Sequence, residues 1–157
     1  MSKEISFSDK LGINSGAPFV VFDFWNQKLQ GVYSDKMEID IEPHDTRVLL
    51  IHPVLGHPQL IGNSRHISGS QSILDLKWDG SAGILSGASE TIKNDLYSLF
   101  IYVPDGMALK RASVFTNDDR EVKVNSELDG NLLKVSFQGQ KETVNWQVRF
   151  SGKPGNK

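Results

Sequence analysis

Strict alternation of apolar and polar residues in short runs, each ended by turn-forming residues, restricts this chain more than any other feature of its sequence. From Thr143 to Ser151, Val144, Trp146, Val148 and Phe150 alternate with Asn145, Gln147 and Arg149. Side chains point to opposite faces along a strand, so such a run buries one set and wets the other. The same period appears at Lys3–Asp9, with Ile5 and Phe7, and at Lys36–Glu42, where Met37, Ile39 and Ile41 alternate with charged residues. It returns at Ser72–Asp79, with Leu74, Leu76 and Trp78 predicted on one core-facing side, and at Leu96–Val103. Turn signals separate the runs: Asp79-Gly80, Pro104-Asp105-Gly106, Asn117-Asp118-Asp119 and Leu128-Asp129-Gly130. No window carries the 3.6-residue period of an amphipathic helix. The fold class predicted is all-β, with two consecutive antiparallel β-units, β-sandwich-like.

The densest group of strands lies between Phe19 and Pro53, predicted as Phe19–Trp25, Lys28–Tyr33, Lys36–Glu42 and Thr46–His52, with Glu42-Pro43-His44-Asp45 as the last turn. Phe19–Trp25 is apolar on both sides and reads as an interior strand, with Val20, Phe22 and Phe24 lining the core. Phe19, Val21, Asp23 and Trp25 fall on its other face. Arg47–His52 is also apolar on both sides and is expected at a sheet centre. His57–His66 contains Pro58, Gly62 and Asn63 and reads as a connector. The division expected is therefore a first unit over 1–62, a second over 63–152 and a disordered tail at 153–157. Strands are further expected at Ile84–Glu90, Leu109–Thr116, Arg120–Asn125 and Asn131–Phe137.

Composition narrows the chemistry. The 157 residues include no cysteine, which removes disulfides, thiolate metal sites and cysteine nucleophiles. With 17 basic and 19 acidic residues, scattered and not striped, nothing points to nucleic acid. No apolar run reaches the length of a membrane helix, about 20 residues, and Met1-Ser2-Lys3-Glu4 lacks the pattern of a signal peptide. Such a start fits either a cytoplasmic protein or an excised piece of a longer, exported one. The histidines, His44, His52, His57 and His66, lack the short spacing of a zinc motif, and Asp118-Asp119 lacks the oxygen-rich pattern of a calcium loop. No metal and no cofactor is expected. Neither G-x-S-x-G nor a phosphate-cradling glycine loop is present.

Asp23-Phe24-Trp25, the glycine at Gly31, the alternating strand after it, Pro43-His44 and a closing apolar strand occur here in an order that resembles a known domain. It is the C-terminal antiparallel β-domain of α-galactosidase-like (melibiase-type) glycoside hydrolases, with its D-L-W, later glycine and V-P-x-H-G. The chain departs from that pattern at Phe24, where leucine is usual, and at Asp45, where glycine is usual. The resemblance covers about the first sixty residues. It implies a non-catalytic β-sandwich region, supporting or covering the catalytic TIM barrel of a parent enzyme that is exported, periplasmic or extracellular. A barrel takes about 250 residues, so no catalytic residue carries over and the chain alone is not expected to be an enzyme.

Two other functions remain open from the sequence: an independent carbohydrate-binding module, and a protein-interaction β-domain. The candidate contact residues are Asp23, Trp25 and Asn26, for carbohydrate or for a neighbouring domain. Trp25 shares a face with Asp23 and borders Asn26-Gln27, unlike Trp78 and Trp146, which fall in register with aliphatic residues. Local packing or docking of Trp25 is favoured over sugar stacking, with Asp23 accepting a nearby hydrogen bond.

Overall fold

Residues 2–13 and 16–155 are described by a computed structural model, and most of them lie in strands. The chain divides into two units between Val54 and Leu55. In the first, β1 (Ser2–Ser6) runs into a short helix, α1 (Phe7–Leu11), followed by β2 (Phe19–Asp23), β3 (Lys28–Tyr33), β4 (Lys36–Asp40) and β5 (Leu49–Pro53). β1 pairs with β4, and a three-stranded antiparallel sheet has the order β3-β2-β5. Lys3–Asp9 is therefore not strand throughout. The Phe7 N–H is held by the Asp35 carbonyl, and α1 turns the Phe7 ring into the core, edge-on to Phe19 at 5.6 Å.

β2 is interior, as predicted, and all five of its residues are buried. Both of its faces are buried. Val20 and Phe22 are in the core as expected, whereas Phe24 is only half-buried. The other face is buried as well, with Phe19 and Val21 joining Phe7, Met37 and Ile39 in a hydrophobic cluster. A strand apolar on both sides is covered on both, and Met37 and Ile39 cover the Phe19 and Val21 side. β5 sits at a sheet edge and not at the centre, because only β2 pairs with it. Between β2 and β3 the register slips, Val21 facing Gly31 and Phe22 facing Leu29, so Gln30 is an extra residue. Gly31 at φ 140° holds a backbone that a side chain rarely adopts, and Tyr33 closes the bulge by donating to the Gln30 carbonyl at 2.9 Å.

The second unit is a sandwich of two antiparallel sheets. Its strands are β6 (Gln59–Asn63), β7 (Ile73–Asp79), β8 (Ile84–Ser89), β9 (Leu96–Tyr102), β10 (Met107–Thr116), β11 (Glu121–Val122), β12 (Val124–Asp129), β13 (Leu132–Gln138) and β14 (Val144–Gly152). One sheet has the order β11-β10-β14-β8-β7 and the other β12-β13-β9-β6. Val144, Trp146, Val148 and Phe150 of the first meet Tyr97, Leu99, Ile101, Leu133, Val135 and Phe137 of the second in one core. Arg120–Asn125 is not one strand: Glu121–Val122 pairs in the first sheet, and from Val124 the chain belongs to the second.

The connector expected at His57–His66 is a strand for five of its residues. β6 pairs with β9, which moves the division from 62/63 to 54/55. Asn63 looked like a loop residue because it builds one. It is buried, its Nδ2 donates to the Gly69 and Gln71 carbonyls, and its Oδ1 accepts from the Arg65 and His66 N–H groups. A second correction concerns β7. Leu74 faces Ala88 but Lys77 faces Ser86, so one extra residue lies between them, with Asp75 at φ 52°. The bulge swaps the faces along the strand. Ile73 and Trp78 then pack on the core, while Leu74 and Leu76 are 42% and 50% exposed. Of the expected tail, residues 153–155 run beside the Asp105–Gly106 turn, where the Gly155 N–H donates to the Asp105 carbonyl at 2.8 Å. Residues 156–157 lie outside the described residues.

Candidate functional site

Asp23 and Asn26 come together in the structure, whereas Trp25 is largely exposed. β2 ends at Asp23 and residues 24–27 form a turn. The buried Asp23 carboxylate accepts the Asn26 N–H at 3.0 Å, the Asn26 Nδ2 at 2.9 Å and the Arg47 Nη1 at 3.1 Å. Arg47 Nε lies 3.1 Å from an Asp45 oxygen but off hydrogen-bond geometry, so that contact is an ion pair alone. The left-handed residue of this turn is His44, at φ 68°. Both oxygens of the Asp23 carboxylate are thus engaged, and the group is a structural corner. Trp25 is 60% exposed and touches Phe24 edge-on at 5.0 Å.

The histidines do not converge. His44 and His52 belong to the first unit, His57 and His66 to the second, and His57 stacks on Trp78 at 5.1 Å with its Nδ1 2.8 Å from the Pro58 carbonyl oxygen. Asp118 is engaged by Thr116 and Arg120, which hold its carboxyl below the usual range. Among the described residues no group of three or more acidic or histidine side chains is placed to hold a metal ion, and no helix is long and apolar enough to cross a membrane.

The surface best built to receive a ligand is the outer face of the five-stranded sheet. The pairings fix its layout. Glu121, Phe115, Asn145, Ala88 and Leu74 form one row across the strands. Ser113, Gln147, Ser86 and Lys77 form the next, and Arg111, Arg149, Ile84 and Asp79 the third. Rows two residues apart are separated by roughly 7 Å along a strand, and strands by about 4.8 Å. Two hollows open on this face. One, of about 330 Å³, is lined by Asp75, Ser86, Ala88, Phe115, Asn145 and Gln147, with Gly87 and Trp146 at its floor. The other, of about 360 Å³, is lined by Arg111, Ser113, Phe115, Gln147 and Arg149. Phe115 and Gln147 line both, so the two hollows adjoin over β14, and together they are termed the groove.

Asn145, Gln147 and Arg149 are exposed, and among the described residues their side chains have no hydrogen-bond or ion-pair partner. They stand on the middle strand, held rigid by neighbours on both sides. Phe115 is half-buried beside them and lines both hollows. Arg111 is differently placed: its side chain runs back along β10, donating from Nε to Ser113 Oγ at 2.9 Å and from Nη2 to Glu121 at 2.9 Å. At the far end of the third row, the Ser81 hydroxyl and the N–H groups of Ala82 and Ser81 hold the Asp79 carboxyl below its ordinary range. The sequence displays Asn145, Gln147 and Arg149 as the wet side of a strand. It does not show that Phe115 and Arg111 lie across from them, since that depends on the pairing of β10 with β14. Compared with protein-family models and with curated proteins, the chain matches none.

Proposed function

We propose that the chain is a non-catalytic accessory region of a carbohydrate-acting protein, and that the second unit binds a glycan in the groove over β14. One observation carries this reading: three polar side chains without partners, Asn145, Gln147 and Arg149, stand in line on a rigid central strand beside the Phe115 ring. Amide and guanidinium groups both suit sugar hydroxyls, which donate and accept, and a part-exposed ring suits the C–H face of a sugar. Hydrolysis needs two carboxylates across the scissile bond, and Asp75 is the one carboxylate lining the groove. The resemblance of residues 1–60 to a β-domain of α-galactosidase-like enzymes supports the same setting, with the first unit covering a catalytic barrel of the parent protein.

The test is an NMR titration of the full chain with a panel of neutral and acidic oligosaccharides, galactomannan fragments and oligogalacturonides among them. Saturable shifts are expected at the side-chain amides of Asn145 and Gln147. Gln147→Ala should weaken binding about tenfold, as expected for one or two lost hydrogen bonds, with an unchanged melting temperature. A panel without any saturable shift refutes the reading, and shifts confined to Trp25 would move the site to the first unit.

A further inference from the structure

We propose that the groove selects acidic glycans, with Arg111 and Arg149 receiving the anionic group of the sugar; this rests on the glycan reading above. The two arginines are direct cross-strand partners in the pairing of β10 with β14, and both line the same hollow of about 360 Å³. Like charges directly opposite one another in a sheet destabilise it. An anion lying over both removes that penalty, and in its absence nothing does so for Arg149, whose guanidinium has no partner among the described residues. Arg111 is held in place by Ser113 and Glu121 through Nε and Nη2, while Nη1 makes no bond to a described residue. A guanidinium presents five N–H donors in a plane, which matches the two oxygens of a carboxylate. The exposed Gln147 amide stands in the row between the arginines and Phe115, where a neighbouring hydroxyl of the same sugar falls, while the buried Ser113 hydroxyl serves to hold Arg111.

Charge also sets the direction in which the ligand lies. Arg111 and Arg149 occupy the β10–β14 side of the face, whereas Asp75 and Asp79 lie on β7, with Lys77 between them. An acidic sugar is drawn to the first side and repelled from the second, so the uncharged remainder extends over Ser86 and Ala88. Glu121 is the competing carboxylate. Its pair with Arg111 is exposed on both sides, a kind of ion pair that contributes little and yields to a better-placed anion.

Calorimetric titration of the full chain with oligogalacturonate, its methyl ester, a sulfated oligosaccharide and a neutral galactomannan fragment tests this. The acid should bind at least about tenfold more tightly than its ester, the gap expected of one charge-assisted pair, and lose that advantage as salt is raised. Arg149→Gln and Arg111→Gln should each bring acid and ester to within about twofold, with Arg149→Gln melting no lower than the parent because it relieves the cross-strand repulsion, and Glu121→Gln should tighten the acid. Tighter binding of the sulfated ligand, lost in the same two variants, also supports the arginine pair, with sulfate as its anion. Equal affinity for acid and ester, or binding of the neutral fragment alone, overturns the inference and leaves the glycan reading standing. Silence from every ligand refutes both.

Discussion

Replacing Gly87 by alanine should destabilise the second unit by about 2–6 kcal/mol, although the position lies in a regular strand and the change adds one methyl. Gly87 faces Trp146 across the β8–β14 pair, and a Cβ built on it would lie 2.6 Å from Cζ2 of the indole, with Cε2 and Cη2 at 3.1 Å. Carbon atoms pack at about 3.5–4.0 Å, so the ring must retreat by roughly 1 Å. It has nowhere to go: Trp146 is buried, and its Nε1 donates to Ser89 Oγ at 2.9 Å. Overfilling a packed core costs about 1–3 kcal/mol. Stretching that bond out of range adds about 1–3 kcal/mol for buried groups left unpaired. Urea unfolding followed by circular dichroism would measure the sum. Trp146→Phe removes the obstructing edge of the ring, so the double variant should be more stable than additivity predicts by about 1 kcal/mol or more. A cost below about 0.5 kcal/mol for Gly87→Ala, or strict additivity in the double variant, would show that the indole is not held where the argument needs it.

Asp23→Ala should cost about 2–4 kcal/mol, less than the 3–5 kcal/mol typical of a broken buried pair because the Arg47 side chain keeps 24% of its surface in solvent; a denaturant midpoint close to wild type would refute the structural-corner assignment. Burial raises the Tyr97 phenol above its ordinary value, against the opposing hydrogen bonds of Ser72 and Ser89. The folded state therefore holds that proton more tightly than the unfolded one. Its contribution is complete below about pH 10 and is lost as pH rises through the folded value. Stability curves should show an alkaline fall above about pH 10 that Tyr97→Phe reduces; an identical fall in the variant would assign it to other groups.

The sequence was most legible where one face of a strand is wet. Lys36–Asp40 and Val144–Phe150 alternate as read, because water and core each choose one set of side chains. It was least legible where that contrast is absent. Phe19–Asp23 is apolar on both sides and is buried on both, so alternation does not show which of its residues meet Met37 and Ile39. In β7 the alternation was present but misleading, since the extra residue near Asp75 swaps the faces that Leu74 and Trp78 occupy. β6 was hidden by Gly62 and Asn63, which are turn formers by type but serve a strand end and the loop after it. Among site residues, Asp23 and Asn26 were found as neighbours, yet their side chains satisfy each other. The groove needed Arg111 beside Arg149 and Phe115 beside Asn145, a register that no local pattern records.

The position of β14 has a consequence for synthesis on the ribosome. The middle strand of the larger sheet, lying between β10 and β8, is the last strand of the unit to be made. While residues 55–143 emerge, β8 and β10 lack the partner that joins them, and their core faces lack Trp146, Val148 and Phe150. Translation at about 5–20 residues per second leaves these strands unjoined for seconds, a time long enough for chaperones to bind them. In the first unit, by contrast, every described strand has its pairing partners within residues 1–54. Until residues 144–152 are made, the larger sheet is thus divided into a β7–β8 part and a β10–β11 part, with no strand between them.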